Sequence, residues 1–118
     1  YTVILVGGQI NSYFSFTCGT EALNQLSQYQ VSKAILSIDG IDERGIMTIH
    51  PEESAIAEIM IQHARRRIIL ADGSKVGKEG FCTICDLSKI DALITDKTAD
   101  RDHLEAIREQ GVEINVLK

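Results

Sequence analysis

The stretch Arg67-Ile-Ile-Leu-Ala-Asp-Gly-Ser-Lys-Val-Gly-Lys-Glu-Gly-Phe81 begins as an apolar run and passes at Asp72 into a loop with three glycines, two lysines and a serine in ten positions. A short apolar run bounded by turn-forming residues reads as a buried strand. The loop has two readings. It is either a flexible solvated connection or a place where free backbone N–H groups and a lysine hold an anion at the end of that strand.

Other runs of the same kind decide which sheet such a strand belongs to. Thr2 to Val6, Ala34 to Ile38, Ala92 to Thr95 and Glu113 to Leu117 have the length and the Val and Ile content of buried parallel strands, like Arg67 to Ala71. Helical patterns lie between them. Thr20 to Gln28 places Leu23 and Leu26 on one face. Pro51 to Arg66 has proline in its first turn, Glu52 and Glu53 beside the positive dipole end, and an apolar stripe through Ile56, Ile59 and Met60. Arg65, Arg66 and Arg67 are expected to close that helix as solvated charges complementing its dipole. Asp102 to Gln110 opens with Asp102 and Glu105 in capping-box spacing, buries Leu104 and Ile107, and stops at Gly111. Strand alternating with helix predicts an α/β, three-layer αβα architecture: right-handed crossovers and a mostly parallel sheet covered on both faces.

Composition narrows the function. The chain has 118 residues, 44% of them hydrophobic, enough for one compact domain with a core. A net charge of −5 and a pI near 5.1 argue against nucleic-acid binding by these residues, because that relies on clustered excess Lys and Arg. No run approaches the roughly 18 to 20 apolar residues of a membrane span, no signal-peptide pattern appears, and a cytoplasmic location is expected. The chain opens Tyr-Thr-Val-Ile-Leu, directly in an apolar run, so it is expected to be part of a longer polypeptide. Cys82-Thr-Ile-Cys85 spells C-x-x-C, but it has no second pair, and His50, His63 and His103 are not at ligand spacing. With Cys18 making an odd count, Cys82 and Cys85 are expected to carry neither metal nor disulfide.

Parallel sheets bind ligands beyond the carboxyl ends of their strands. The segments expected there are Gly7-Gly8, Asp39-Gly-Ile-Asp42, Asp72-Gly-Ser-Lys75 and Asp96-Lys97. Glycines expose amides to an oxyanion, lysine supplies a compact positive charge, and carboxylates accept hydrogen bonds from sugar hydroxyls. A phosphorylated polyol meets all three. Singly, each feature also reads as plain structure: a Gly-Gly turn, an Asx-turn at Asp39, a surface acid at Asp42, a solvated loop lysine at Lys75.

At the same residues the sequence resembles a family. "LVGGQIN", "FTCGTEAL", "ILSIDGIDERGIMT", "EESAIAEIMIQHARRRIILADGSKVGKEGF" and "IDALITD" are similar, in order and spacing, to the carboxyl-terminal sensor domain of DeoR-type bacterial transcriptional repressors, from about Val3 to Val116. The resemblance implies the fold of ribose-5-phosphate isomerase and related sugar-phosphate isomerases and CoA transferases. It also implies a sensor that binds a phosphorylated sugar or related metabolite and so modulates DNA binding, without cofactor or metal. It assigns effector binding to Asp39, Gly40 and Asp42 as the analogue of the isomerases' D-G-x-D loop, to Gly45 as the turn behind it, to Glu53 as the acid opening the next helix, and to Lys75 in the D-x-S-K loop. Gly7 and Gly8 join this set from their expected place at the rim.

The isomerases follow D-G-x-D with a lysine and a glycine-alanine run, where this chain has Ile46-Met-Thr-Ile-His-Pro51. The resemblance therefore implies a sensor and not an enzyme, with no catalytic residue. The alternative is an isomerase-like enzyme in which Asp42 or Glu53 abstracts a proton next to a carbonyl while Lys75 holds charge. The family's first strand, its D-x-G-[ST]-T loop and its amino-terminal winged helix-turn-helix have no counterpart here. Residues 1–118 are therefore expected to be an effector-sensing domain incomplete at its amino terminus, contacting DNA only through that missing domain and acting as a homo-oligomer.

Overall fold

All residues, 1–118, are described in a computed structural model. The chain runs β1 (Gln9–Asn11), β2 (Phe16–Cys18), α1 (Gly19–Leu26), β3 (Val31–Leu36), β4 (Gly40–Asp42), β5 (Gly45–Thr48), α2 (Pro51–Gln62), β6 (Ala64–Leu70), β7 (Cys82–Cys85), β8 (Ala92–Asp96), α3 (Arg101–Glu109) and β9 (Glu113–Leu117). Strands β3-β6-β8-β9 form the expected parallel sheet in that spatial order, with Ile35 beside Ile68, Ile69 beside Leu93 and Leu93 beside Ile114. Short 3-10 turns follow β6 at Gly73–Lys75 and β7 at Leu87–Lys89.

The sheet advances in one direction from β3 to β9. Right-handed crossovers that all step the same way place their helices on one face. The core follows this rule: Leu36, Ile69 and Leu93 on the inner face pack with Ala57 and Ile61 of α2 and Leu104 and Ile107 of α3. The opposite face is bare within these residues, with Ile35, Leu70 and Leu117 60%, 50% and 58% exposed. The expected three layers are therefore two here, one layer of helices on one sheet.

The expected strand Thr2 to Val6 does not form. A strand is defined by its ladder partner, and this run has none: Val3 and Leu5 stay exposed, and the first ladder is the β1–β2 hairpin. "Mostly parallel" holds for the main sheet only. A second, antiparallel sheet, β4-β5-β7, was not legible, because its strands are three or four residues long and β4 and β5 meet at the tight Asp42–Gly45 turn.

Helix α2 ends four residues early, at Gln62, and the three arginines belong to β6 instead of its last turn. Arg67 still complements that helix, from the neighbouring strand: its Nε donates to the carbonyls of Ile61 and Ala64 at 3.0 Å each. Arg66 pairs with Glu113. The stripe Ile56, Ile59 and Met60 is only half-buried, and the core-facing residues of α2 are Ala57 and Ile61. Helix α3 is capped two residues earlier than the Asp102–Glu105 spacing implies. Asp100 is the N-cap and accepts from the His103 N–H at 3.0 Å.

Candidate functional site

Asp39 leaves the carboxyl end of β3 half-buried, and β5 returns past it. Its Oδ2 accepts from the Thr48 hydroxyl and from the Ile49 N–H, both at 2.9 Å. Burial pushes this carboxyl up, but those two hydrogen bonds and the charges of His50 and Lys75 outweigh it, so Asp39 titrates below its ordinary value. Glu53, in the first turn of α2, goes the other way. Burial is the main cause and the nearby Asp39 charge adds to it, while His50 and the Thr48 hydroxyl, 3.5 Å away, only partly offset them.

Thr48 thus lies between two carboxylates shifted in opposite directions. It is 1% exposed, and neither it nor His50 was singled out beforehand, because both lie in the segment read only as lacking the isomerases' lysine. The missed signal was a polar residue inside Ile46-Met-Thr-Ile49, an apolar strand. His50, the residue before α2, sits against Phe14 and Phe16 with ring centroids 4.2 and 5.8 Å away.

Lys75 follows the carboxyl end of β6, the strand next to β3. It is half-buried, makes no ion pair within 4 Å, and its charge acts on Asp39 and on Asp72. The loop that carries it is a built turn: Asp72 accepts from the Ser74 N–H at 2.9 Å and from its hydroxyl, and Gly73 N–H donates to Asp96. The same construction recurs at Asp86-Leu-Ser-Lys89, where Asp86 accepts from Ser88. In D-x-S-K, Asp and Ser therefore serve the turn, and the lysine is left for other contacts.

Asp42 does not join Asp39. It is 3% exposed and fully engaged by Arg44, whose Nη2 lies 2.6 Å from it and 2.6 Å from Glu79. Burial raises its pKa, and the Arg44 hydrogen bonds and charge bring it below the ordinary range. Gly40 and Gly45 serve the same hairpin. A Cβ on Gly40 would overlap the Lys78 carbonyl, and one on Gly45 the Cys85 carbonyl. Gly7 and Gly8 are likewise accounted for by packing. The Gly7 N–H donates to Gln25 Oε1 at 2.8 Å, Gly8 is pressed against Ala22 and Cys18, and the strand expected to carry them to the rim is absent.

Glu53 lines a cavity of about 190 Å³ whose other walls include Phe16, Ile35, Ser37, Ile56 and Met60. The cysteines lie elsewhere. Cys82 and Cys85 are on β7, and the Cys85 thiol is pushed up to about 11, chiefly by burial and then by Asp86.

A family model, the DeoR C-terminal sensor domain, matches residues 1–97. The chain belongs to that family. It is 36% identical over 114 residues to the HTH-type transcriptional repressor GlcR of Bacillus subtilis, covering 97% of this chain and 44% of that protein. It is 31% identical to the putative aga operon transcriptional repressor of Escherichia coli O157:H7, covering 95% and 42%. It is 32% identical to the lactose phosphotransferase system repressor of Staphylococcus epidermidis, covering 81% and 38%. This sensor chain thus spans less than half the length of these relatives, all of them transcriptional repressors.

Proposed function

We propose that this sensor domain binds a phosphorylated sugar or related polyol phosphate between Lys75 and Asp39, and that binding weakens DNA binding by the full-length, oligomeric, cytoplasmic repressor. The single observation that carries the ligand class is placement: a half-buried lysine with no ion pair and a carboxylate kept ionised by Thr48 and Ile49 follow the carboxyl ends of the adjacent parallel strands β6 and β3. A lysine so placed suits phosphate. A carboxylate whose acceptor sites are only partly used suits hydroxyls. The names of the relatives, two of them tied to the aga operon and to a lactose phosphotransferase system, agree with a sugar-derived signal. Coupling to DNA requires that the ligand bind two arrangements of the repressor unequally.

The enzyme reading loses one of its two bases, because Asp42 is closed off by Arg44. Full-length protein on its operator DNA, titrated with a panel of sugar phosphates, tests both readings. DNA release by one compound without its consumption is expected. Release by none contradicts the ligand class, and consumption of any contradicts a sensor without catalysis.

A further inference from the structure

Two of the three histidines hold a polar group at a ring nitrogen. His63 Nδ1 lies 2.8 Å from the Tyr29 carbonyl, and His103 Nδ1 lies 3.4 Å from Glu43. The half-buried His50 ring has no hydrogen-bond partner within the chain. His50 stands directly before α2 without capping it through its side chain. Only its main chain is used: the N–H donates to the Thr48 hydroxyl at 3.2 Å and the carbonyl accepts from Ser54. Phe14 and Phe16, from the β1–β2 hairpin, pack against the ring, a contact that another aromatic ring would also make. Imidazole adds what phenyl lacks, an N–H donor and, when neutral, an acceptor nitrogen. Neither Asp39 nor Glu53 takes a hydrogen bond from it, although its charge acts on both. Asp39 has an opening of the complementary kind. Both of its side-chain hydrogen bonds, from Thr48 and Ile49, reach Oδ2, so Oδ1 is left to accept another.

We propose that His50 is an effector-contacting residue that determines specificity: its ring N–H donates to the oxygen of a sugar hydroxyl whose proton Asp39 Oδ1 accepts. The proposal rests on the sugar-phosphate reading above and adds to it the group that reads the sugar end. A hydroxyl is donor and acceptor at once, whereas an ionised carboxylate can only accept, so Asp39 alone satisfies half of it. An imidazole supplies the other half in either protonation state. Thr48 ties the two residues to one fixed point, since its hydroxyl, in a side chain 1% exposed, donates to Asp39 and accepts from the His50 main chain. Lys75 is left for the phosphate. A site that hydrogen-bonds a hydroxyl on both sides rejects the analogue without it, because that analogue leaves both protein groups unpaired.

Two measurements on the full-length protein test this. Diethyl pyrocarbonate, which acylates accessible imidazole nitrogens, is applied first to the protein alone, with the modified histidines read by mass spectrometry. His50 is expected to react faster than His63 and His103; a slower His50 shows its nitrogens engaged and overturns the proposal without reference to any effector. Wild-type and His50→Phe proteins, the variant keeping an aromatic ring against Phe14 and Phe16, are then titrated with pentose and hexose phosphates and their monodeoxy analogues. The compound that binds wild type is expected to protect His50 from acylation. His50→Phe is expected to keep the thermal midpoint, to bind that compound about three- to tenfold more weakly, and to lose the preference for it over one deoxy analogue. Equal affinity in the variant, or every preference unchanged, overturns the role of His50 and leaves the Lys75 and Asp39 reading standing. Binding of no compound to wild type overturns that reading, and the role of His50 falls with it.

Discussion

Thr48 shows how one buried hydroxyl sets the state of two acids. It donates to Asp39 and stands 3.5 Å from Glu53, so the pair shares a single neutral contact and titrates apart. Asp39→Asn should lower the Glu53 pKa by removing the second-largest cause of its rise, while burial keeps it above the ordinary carboxylate value. A carbon-detected NMR titration reads the shift directly, and an unmoved Glu53 would mean that the two carboxylates do not sense each other. Stability follows from the same signs. Asp39 and Asp42 are depressed in the folded chain, so their stabilisation is complete above about pH 4 and is lost as pH falls through their folded values. Glu53 is raised, so its penalty is relieved as pH falls through its folded value. Urea melts across this range should steepen their decline below about pH 4, and Asp42→Asn should make that acid limb shallower. An acid limb identical in the variant would show that the Arg44 pair contributes nothing. At this scale the sequence pointed to Asp39 and Lys75 as candidates from their places after two apolar runs, and the resemblance added Glu53 at the start of α2. Asp42 was named beside them, but its engagement by Arg44 was not legible, because that contact exists only once the hairpin turns.

The hairpin of β4 and β5 is the element on which the site depends, since it carries Asp42, Thr48 and the segment leading to His50. Its turn admits only glycine at Gly45, with φ +145° and the Cys85 carbonyl where a Cβ would go. Gly111, after α3, also has positive φ, +99°, but open space around it. Gly111→Ala should therefore cost about 1 kcal/mol, the left-handed backbone penalty alone. Gly45→Ala should cost clearly more, because carbonyl overlap adds to it. Denaturant melts of the two variants side by side check the ranking, and equal losses would remove the packing role given to Gly45. Helices were legible within a few residues because capping residues and 3.6-residue spacing are local: Pro51 marks one start, Gly111 one stop. The antiparallel strands were not, because three residues such as Gly40–Asp42 carry no period and form only by pairing with Gly45–Thr48.

At the scale of the molecule, the order β3-β6-β8-β9 explains both the core and the bare face, and it puts Asp39 and Lys75 after the carboxyl ends of neighbouring strands, from separate crossovers. The parallel sheet could be read from the alternation of Ile- and Val-rich runs with helices, but full coverage on both faces could not be, since alternation does not state in which direction each crossover steps. Ile69, fully buried at the centre of the sheet, tests the core independently of the site. Ile69→Ala should cost about 2 to 5 kcal/mol of folding stability and leave ligand affinity of the folded protein intact. Lys75→Ala should do the reverse. Calorimetric titration of the responsive sugar phosphate into full-length wild-type and Lys75→Ala protein, with denaturant melts of both, is the direct test of the phosphate contact. Binding weakened by about ten- to a hundredfold, the order expected for loss of a hydrogen bond to a charged group, with the melt nearly unchanged, is the expected result. Equal affinity in the two proteins, with equal melts, would contradict it and leave Lys75 a solvated loop lysine.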